Sequence, residues 1–116
     1  MFNWFKKGSQ QNGPNFSHLD SYEKAQAAAS SGQLVTVFLF PIEYGGPQER
    51  QNVVFVPAFV AELKARYDEM VGDLLKKGKV NRYSAKPEYK GKSVVPSAIT
   101  ITASGDAEFA QKIHIW

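Results

Sequence analysis

The sequence has no cysteine and only two histidines, His18 and His114, among its 116 residues. The missing cysteine excludes disulfides, thiolate nucleophiles, iron–sulfur clusters and cysteine-based zinc sites. Two isolated histidines, without an HExxH motif or a paired spacing, also argue against a transition-metal site, so we expect no cofactor. The apolar runs are short, because none approaches the stretch of about 18 residues that a membrane-spanning helix needs.

The amino-terminal segment lacks the order of a secretory signal peptide. Three aromatic residues precede Lys6 and Lys7, whereas a signal peptide places its positive charge before its apolar core. Aromatic residues beside lysines also suit an interfacial membrane anchor, and this alternative stays open. Residues 8–16 are rich in glycine, proline and polar amides, as linkers are. We expect a tail and linker over residues 1–16, one domain over 17–116 and a cytoplasmic location.

What the chain does contain is a succession of helix and strand patterns. Asp20, as N-cap, and Glu23 form a capping box that predicts a short first helix. The β-branched and aromatic run 34–40 predicts a central strand covered at least in part on both faces, and 52–56 predicts a second strand. Further strands are predicted at 79–85, 94–103 and 111–116.

The clearest pattern is a long amphipathic helix from Pro57 to the residue before Gly78. Its apolar stripe holds Phe59, Val60, Leu63, Tyr67, Met70, Val71, Leu74 and Leu75. Its wet face is predicted to hold Glu62, Lys64, Arg66, Asp68, Glu69 and Asp73. The resulting order, α-β-β-α-β-β-β, predicts a single-domain α+β fold: a mostly antiparallel sheet of about five strands covered by one long helix.

No residue pattern matches a catalytic arrangement. The segment 91–93 imitates the end of a P-loop, but Lys86 occupies the position of the first glycine and no helix follows. There is no GxSxG motif. The carboxylates in predicted loops are those of Glu43, Glu49, Asp106 and Glu108. We expect no enzymatic activity; an enzyme would require a pocket that gathers Glu43, Tyr44 or His114.

The charge is unevenly distributed. The formal net charge is +3, but residues 76–92 carry seven lysines and arginines against Glu88 alone, which gives +6 there and −3 elsewhere. Tyr83 and Tyr89 are interleaved with these cations, as in sites for single-stranded nucleic acid. The same surface suits an acidic protein partner, and a merely solvated surface is the third interpretation.

Two proline-framed loops, at 41–46 and 87–97, each combine a tyrosine with glycine, which is common in recognition surfaces. The loops could equally pack on each other. Together with the basic segment they define a set of candidate binding residues. This set is Glu43, Tyr44, Lys79, Arg82, Tyr83, Lys86, Tyr89, Lys90 and Lys92.

A resemblance rests on several short segments: 40–46, 52–57, Gly78-Lys79-Val80, Pro87-Glu88-Tyr89 and Pro96-Ser97. They resemble small uncharacterised bacterial proteins, some of which are similar to the immunity proteins that neutralise polymorphic toxins. The resemblance implies a stoichiometric protein binder with no catalytic residues. We therefore expect a bacterial protein that binds another protein, with nucleic-acid binding through the basic segment as the alternative.

Overall fold

A computed structural model describes residues 14–116, and most of the predicted tail and linker lies outside them. Within this range the predicted α+β class and element order are confirmed. The helices are α1 (Tyr22–Ser30) and α2 (Ala58–Lys76), and the strands are β1 (Val35–Phe38), β2 (Val53–Val56), β3 (Val80–Glu88), β4 (Ala98–Gly105) and β5 (Glu108–His114). Short 3₁₀ helices cover Ile42–Tyr44 and Arg50–Asn52.

The five described strands form two antiparallel sheets. β1 pairs with β2, with Val37 opposite Val54, and the second sheet has the order β3-β4-β5. Ile101, in the central strand β4, lies opposite Ala85 on one side and Gln111 on the other. Each strand pairs only with a neighbour in sequence, and the two strands that α2 separates do not pair. The division into two sheets therefore follows the position of the long helix.

The β1–β2 sheet is covered differently on its two faces. Its register places Val37 and Val54 on the face that packs on α2, and Phe55 on the face that packs on α1. Ala25 and Ala28 of α1 are buried, because small side chains let the helix approach the sheet closely. The expectation that residues 34–40 form a central strand is wrong, because β1 is an edge strand of a two-stranded sheet. Its faces are covered only in part, since Thr36 is exposed.

Helix α2 packs against β1, β3 and β5, so one core serves both sheets. The helix begins and ends within a residue of its predicted bounds, but its predicted faces need correction. Phe59 is 47% exposed and Met70 is 50% exposed, although both were assigned to the apolar stripe. The two residues are eleven positions apart, which is about three helical turns. They therefore lie on the same side of the helix, and that side faces away from the sheets. Lys64, assigned to the wet face, is buried.

The ends of the described chain are held by specific contacts. Ser21, not Asp20, is the N-cap of α1, and its Oγ accepts a hydrogen bond from the Lys24 amide. Asp20 instead pairs with the Lys24 ammonium at 2.8 Å. The Trp116 indole donates to the Val95 carbonyl at 3.1 Å, and its ring packs edge-to-face on Phe16. Among residues 14–116 no helix has the length and apolar character needed to cross a bilayer.

Candidate functional site

A pocket of about 390 Å³ opens between α2, β1 and the 3₁₀ helix that follows β1. We call it the acidic pocket. Its lining residues are Val37, Phe38, Pro41, Ile42, Glu43, Tyr44, Ala61, Lys64, Ala65, Asp68 and Glu69. Glu43 and Glu69 are exposed at the rim, and Lys64 lies buried at the base. The pocket therefore combines an apolar wall with charged groups at two depths.

The loop that carries Glu43 and Tyr44 is fixed by the buried side chain of Asn52. Its Oδ1 accepts from the Phe40 amide at 2.8 Å, and its Nδ2 donates to the carbonyls of Phe40 and Pro47, both at 2.9 Å. These three bonds use both amide hydrogens and one of the two lone pairs of the amide oxygen, all on the loop backbone. Gly46 completes the turn, since any Cβ there would collide with the Phe40 carbonyl oxygen. The rim is thus a rigid loop.

At the base of the pocket, three side chains form a closed polar network. The Lys64 ammonium donates to Asp68 Oδ2 at 2.7 Å and to the Tyr83 hydroxyl at 3.2 Å. The Tyr83 hydroxyl donates to Asp68 Oδ1 at 2.5 Å. Lys64 is only 3% exposed, and a buried charge needs such a partner to be tolerated. The network joins α2 to β3 below the open edge of β1.

Tyr44 closes one side of this network from the loop. Its hydroxyl donates to the Asp68 carbonyl oxygen at 2.5 Å, and its ring lies 5.8 Å from that of Tyr83. Gly72 makes this approach available, because a Cβ at that position would lie 2.6 Å from the Tyr44 hydroxyl. A glycine in the middle of α2, which disfavours the helix, therefore has a packing reason.

The electrostatic potential at the acidic pocket is negative. Burial, followed by the hydrogen bond that the Tyr83 hydroxyl donates to Asp68 and by the charge of that carboxylate, raises the pKa of Tyr83 far above its usual value. Burial, followed by the charges of Asp68 and Glu43, also raises the pKa of Tyr44. Both phenols are therefore neutral donors at physiological pH. Among residues 14–116 neither Glu43 nor Glu69 forms an ion pair, so the rim presents uncompensated negative charge.

This arrangement offers two carboxylates to a cation at the rim of the pocket. The pocket gathers Glu43 and Tyr44, which meets the condition stated above for an enzyme, and His114 lies exposed at the end of β5. The Lys64 ammonium is held by a carboxylate, and a protonated amine has no lone pair with which to attack a carbonyl carbon. A basic group entering from solvent would instead meet the two rim carboxylates above an apolar wall.

The predicted basic segment is divided in space. β3 is nine residues long, so its ends lie about 26 Å apart at about 3.3 Å per residue. Lys79 precedes β3 and Arg82 is its third residue, whereas Lys86 lies four residues, about 13 Å, further along, and Lys90 and Lys92 follow the strand. Tyr83 points into the network described above, so its ring and hydroxyl are engaged inside the fold. The cations therefore form two groups with no aromatic surface in common.

Tyr89, the remaining candidate, lines a second and larger cavity of about 580 Å³, which we call the arginine cleft. Its lining residues are Tyr22, Arg50, Gln51, Val53, Phe55, Tyr89, Ser93 and Val94. The tyrosines of the two proline-framed loops thus line separate cavities. The candidate residues are distributed over the acidic pocket, the start of β3 and the region of the arginine cleft.

Sequence reasoning missed Lys64, Asp68 and Asn52 as parts of the site. One feature could have identified Lys64: it follows Val60 by four residues and precedes Val71 by seven, which places a cation on the buried stripe of a helix. A buried cation requires an anion nearby, and Asp68 is one turn further along. The role of Asn52 depends on contacts with residues twelve positions away, which no local pattern reveals.

Comparison with protein-family models, with curated proteins and with solved structures finds no match for this chain. Within residues 14–116 no group of three histidine or acidic side chains is arranged to hold a metal ion.

Proposed function

We propose that the protein acts by binding another protein, and that the acidic pocket receives a basic side chain of that partner. One observation carries the proposal. The charges at the base of the pocket, on Lys64 and Asp68, are paired with each other, whereas the rim carboxylates of Glu43 and Glu69 have no cationic partner among the described residues.

The rigidity of the pocket supports this role. A binding surface loses less free energy on association when its groups are already held in place. Asn52 fixes the loop, and the Asp68 network fixes Tyr44 from below. A lysine or arginine of a partner would lay its aliphatic stem on Val37 and Ile42, with its charge at the rim.

The proposal includes the role that the resemblance implies. An immunity protein neutralises a toxin by stoichiometric binding, which needs a shaped surface and no catalytic groups. We propose this role, in a bacterial cytoplasm, as the form that protein binding takes here. The identity of the partner is what the experiment below determines.

Nucleic-acid binding has weaker support. A single-strand site needs cations along the backbone path and rings on which bases stack. Tyr83 is engaged in the core network, and the cations are spread along the extended β3 and the loop after it. Salt-sensitive binding of a single-stranded oligonucleotide through Lys86, Lys90 and Lys92 would nevertheless favour this alternative over protein binding.

The test is affinity capture from native lysate with the full chain, followed by mass spectrometry. The variant Glu43→Gln with Glu69→Gln removes the rim charges, and Glu62→Gln with Glu108→Gln removes two exposed carboxylates that do not line the pocket. We expect the native chain and the control to recover one stoichiometric protein, and the rim variant to bind it about tenfold more weakly. No stoichiometric partner, or equal affinity of both variants, would refute the proposal.

A further inference from the structure

The arginine cleft lies on the face of β2 that α1 covers, away from the acidic pocket. Its wall is formed by Val53 and Phe55 of β2, Tyr22 of α1 and Tyr89 and Val94 of the loop after β3. Tyr89 is 50% exposed, so one aromatic side chain stands open to solvent at the mouth. The volume of about 580 Å³ lies within the range of about 300–1,000 Å³ found for ligand sites.

Arg50 is fixed within this cleft by an aromatic stack. Its guanidinium carbon lies 3.8 Å from the centroid of the Tyr22 ring, which itself packs edge-to-face on Phe55. Stacking occupies one face of the guanidinium and leaves the N–H groups at its edge free to form a bidentate contact. Among residues 14–116 no carboxylate lies within salt-bridge distance of Arg50. The cleft thus presents a preorganised cation without an anion.

Ser93 adds a second donor. It lies in the wall of the cleft and is only 4% exposed. Its Oγ accepts a hydrogen bond from the Val95 amide at 3.1 Å, but its own proton is not donated to any of residues 14–116. A buried hydroxyl donor normally finds an acceptor. Two donors that line the cleft, those of Arg50 and Ser93, therefore have no acceptor among residues 14–116.

We propose that the arginine cleft binds an acidic segment of a partner protein, whose carboxylate pairs with Arg50 while a neighbouring apolar or aromatic side chain lies against Tyr89 and Val94. This inference rests on the proposed function, since it takes the partner to be a protein. It adds a second contact point, of opposite sign to the acidic pocket.

Charges of both signs lie beside the cleft, since the exposed Lys90 and Lys92 are next in sequence to Tyr89 and Ser93. The exposed carboxylates of Glu23 and Glu49 are next in sequence to Tyr22 and Arg50. A polyanionic strand, with a phosphate at each nucleotide, would bring several negative charges near these carboxylates. A single carboxylate on a peptide reaches Arg50 without placing further negative charge beside them.

The experiment is a titration of the ¹⁵N-labelled full chain with the peptide acetyl-Gly-Asp-Phe-Gly-amide, followed by NMR. We expect shifts of the amides of Gln51, Ser93 and Val94. Two matched peptides, with Asn in place of Asp and with Ala in place of Phe, test the charge and the apolar contact separately. Each is expected to bind about tenfold more weakly, because each loses one of the two contacts.

The chain offers matched variants for the same titration. Arg50→Gln is expected to weaken binding of the Asp-Phe peptide about tenfold, while Arg66→Gln, at an exposed arginine of α2 that lines neither cavity, leaves binding unchanged. Arg50→Lys keeps the charge but loses the planar fork, so an intermediate affinity is expected. Equal binding by native and Arg50→Gln chains, or no shifts at about 5 mM peptide, would overturn the inference.

Two further arms separate the outcomes. The rim variant Glu43→Gln with Glu69→Gln should bind the peptide as the native chain does. If the peptide fails while lysate capture depends on the rim, the cleft inference is wrong and the proposed function stands. If lysate capture fails while the peptide binds, the proposed function is wrong and the cleft inference stands. A single-stranded oligonucleotide that shifts the same amides, and loses affinity in Arg50→Gln, would identify a nucleic-acid site and contradict the inference.

Discussion

The acidic pocket and the arginine cleft use charged side chains in opposite ways. In the pocket, a buried lysine and aspartate neutralise each other and leave exposed carboxylates at the rim. In the cleft, an exposed arginine is held by an aromatic ring and has no carboxylate partner among the described residues. A buried pair links the site to the stability of the fold, whereas a stacked surface cation can be removed with little effect on folding.

The largest expected effect comes from breaking the buried pair. Asp68→Ala leaves the ammonium of Lys64 buried and unpaired, so we expect the free energy of unfolding to fall by about 3–5 kcal/mol. Arg50→Gln in the cleft is the matched single-charge change, and we expect a shift within about 0.5 kcal/mol. Urea denaturation followed by circular dichroism measures both.

A double variant tests whether the stability lost in Asp68→Ala comes from the unpaired charge of Lys64 or from the changed side chain at position 68. Lys64→Met with Asp68→Leu removes both charges at similar volume, and we expect it to regain most of the stability lost in Asp68→Ala. If Asp68→Ala costs no more than Arg50→Gln, the pair is not buried in the way described and the contrast between the two sites fails.

The next effect concerns the tyrosine of each site. Tyr83→Phe removes the hydroxyl that accepts from Lys64 and donates to Asp68, and leaving those partners short of a bond should cost about 1–3 kcal/mol. Tyr89→Phe removes a hydroxyl that makes no hydrogen bond within residues 14–116, so a change below about 0.5 kcal/mol is expected. Equal losses in the two variants, measured by thermal and urea unfolding, would contradict the assignment of Tyr83 to the network.

The pH dependence of stability at alkaline pH gives a second test of the role of Tyr83. Because the pKa of Tyr83 is raised in the folded state, the unfolded chain releases this proton first, at its usual pKa of about 10. Stability contributed by Tyr83 is therefore complete below about pH 10 and declines as the pH rises above it, by at most about 1.4 kcal/mol per pH unit. We expect Tyr83→Phe to flatten this decline in urea midpoints measured from about pH 8 to pH 11. An unchanged dependence of the urea midpoint on pH in Tyr83→Phe would contradict the assignment of this decline to Tyr83.

The smallest effect tests the fit of Tyr44 over Gly72. An alanine at residue 72 favours the helix by about 1 kcal/mol but displaces the Tyr44 hydroxyl from the Asp68 carbonyl. We expect Gly72→Ala to be neutral or slightly destabilising in the native chain, and stabilising by about 1 kcal/mol in the Tyr44→Ala background. Additive effects in this double-mutant cycle would show that the two residues do not meet.

Local patterns predicted the elements of this fold well and their environments less well. The capping chemistry and apolar spacing of α2 located a helix that the structure places at Ala58–Lys76. The same spacing assigned Phe59 to the core and Lys64 to solvent, and both assignments were wrong. Periodicity identifies a stripe, but the width and centre of that stripe depend on where two sheets lie, which is not a local property.

The candidate site shows the same limit. The proline-framed loop 41–46 was identified from its composition, and it does form the rim of a pocket. Its partners, Asp68 and Asn52, gain their roles from contacts with residues twelve to twenty-four positions away. The basic segment was correctly counted, but the extended geometry of β3 separates its charges into two groups.

What the sequence by itself determined is the inventory: an α+β chain, its strand and helix order, the absence of cysteine chemistry and an uneven charge. Only the tertiary structure decided which charges meet. Packing α2 between two sheets buried Lys64 beside Asp68 and Tyr83, and stacking Arg50 on Tyr22 left a cation facing an open cleft. Coulomb energies depend on distance and burial, and both are properties of the folded chain.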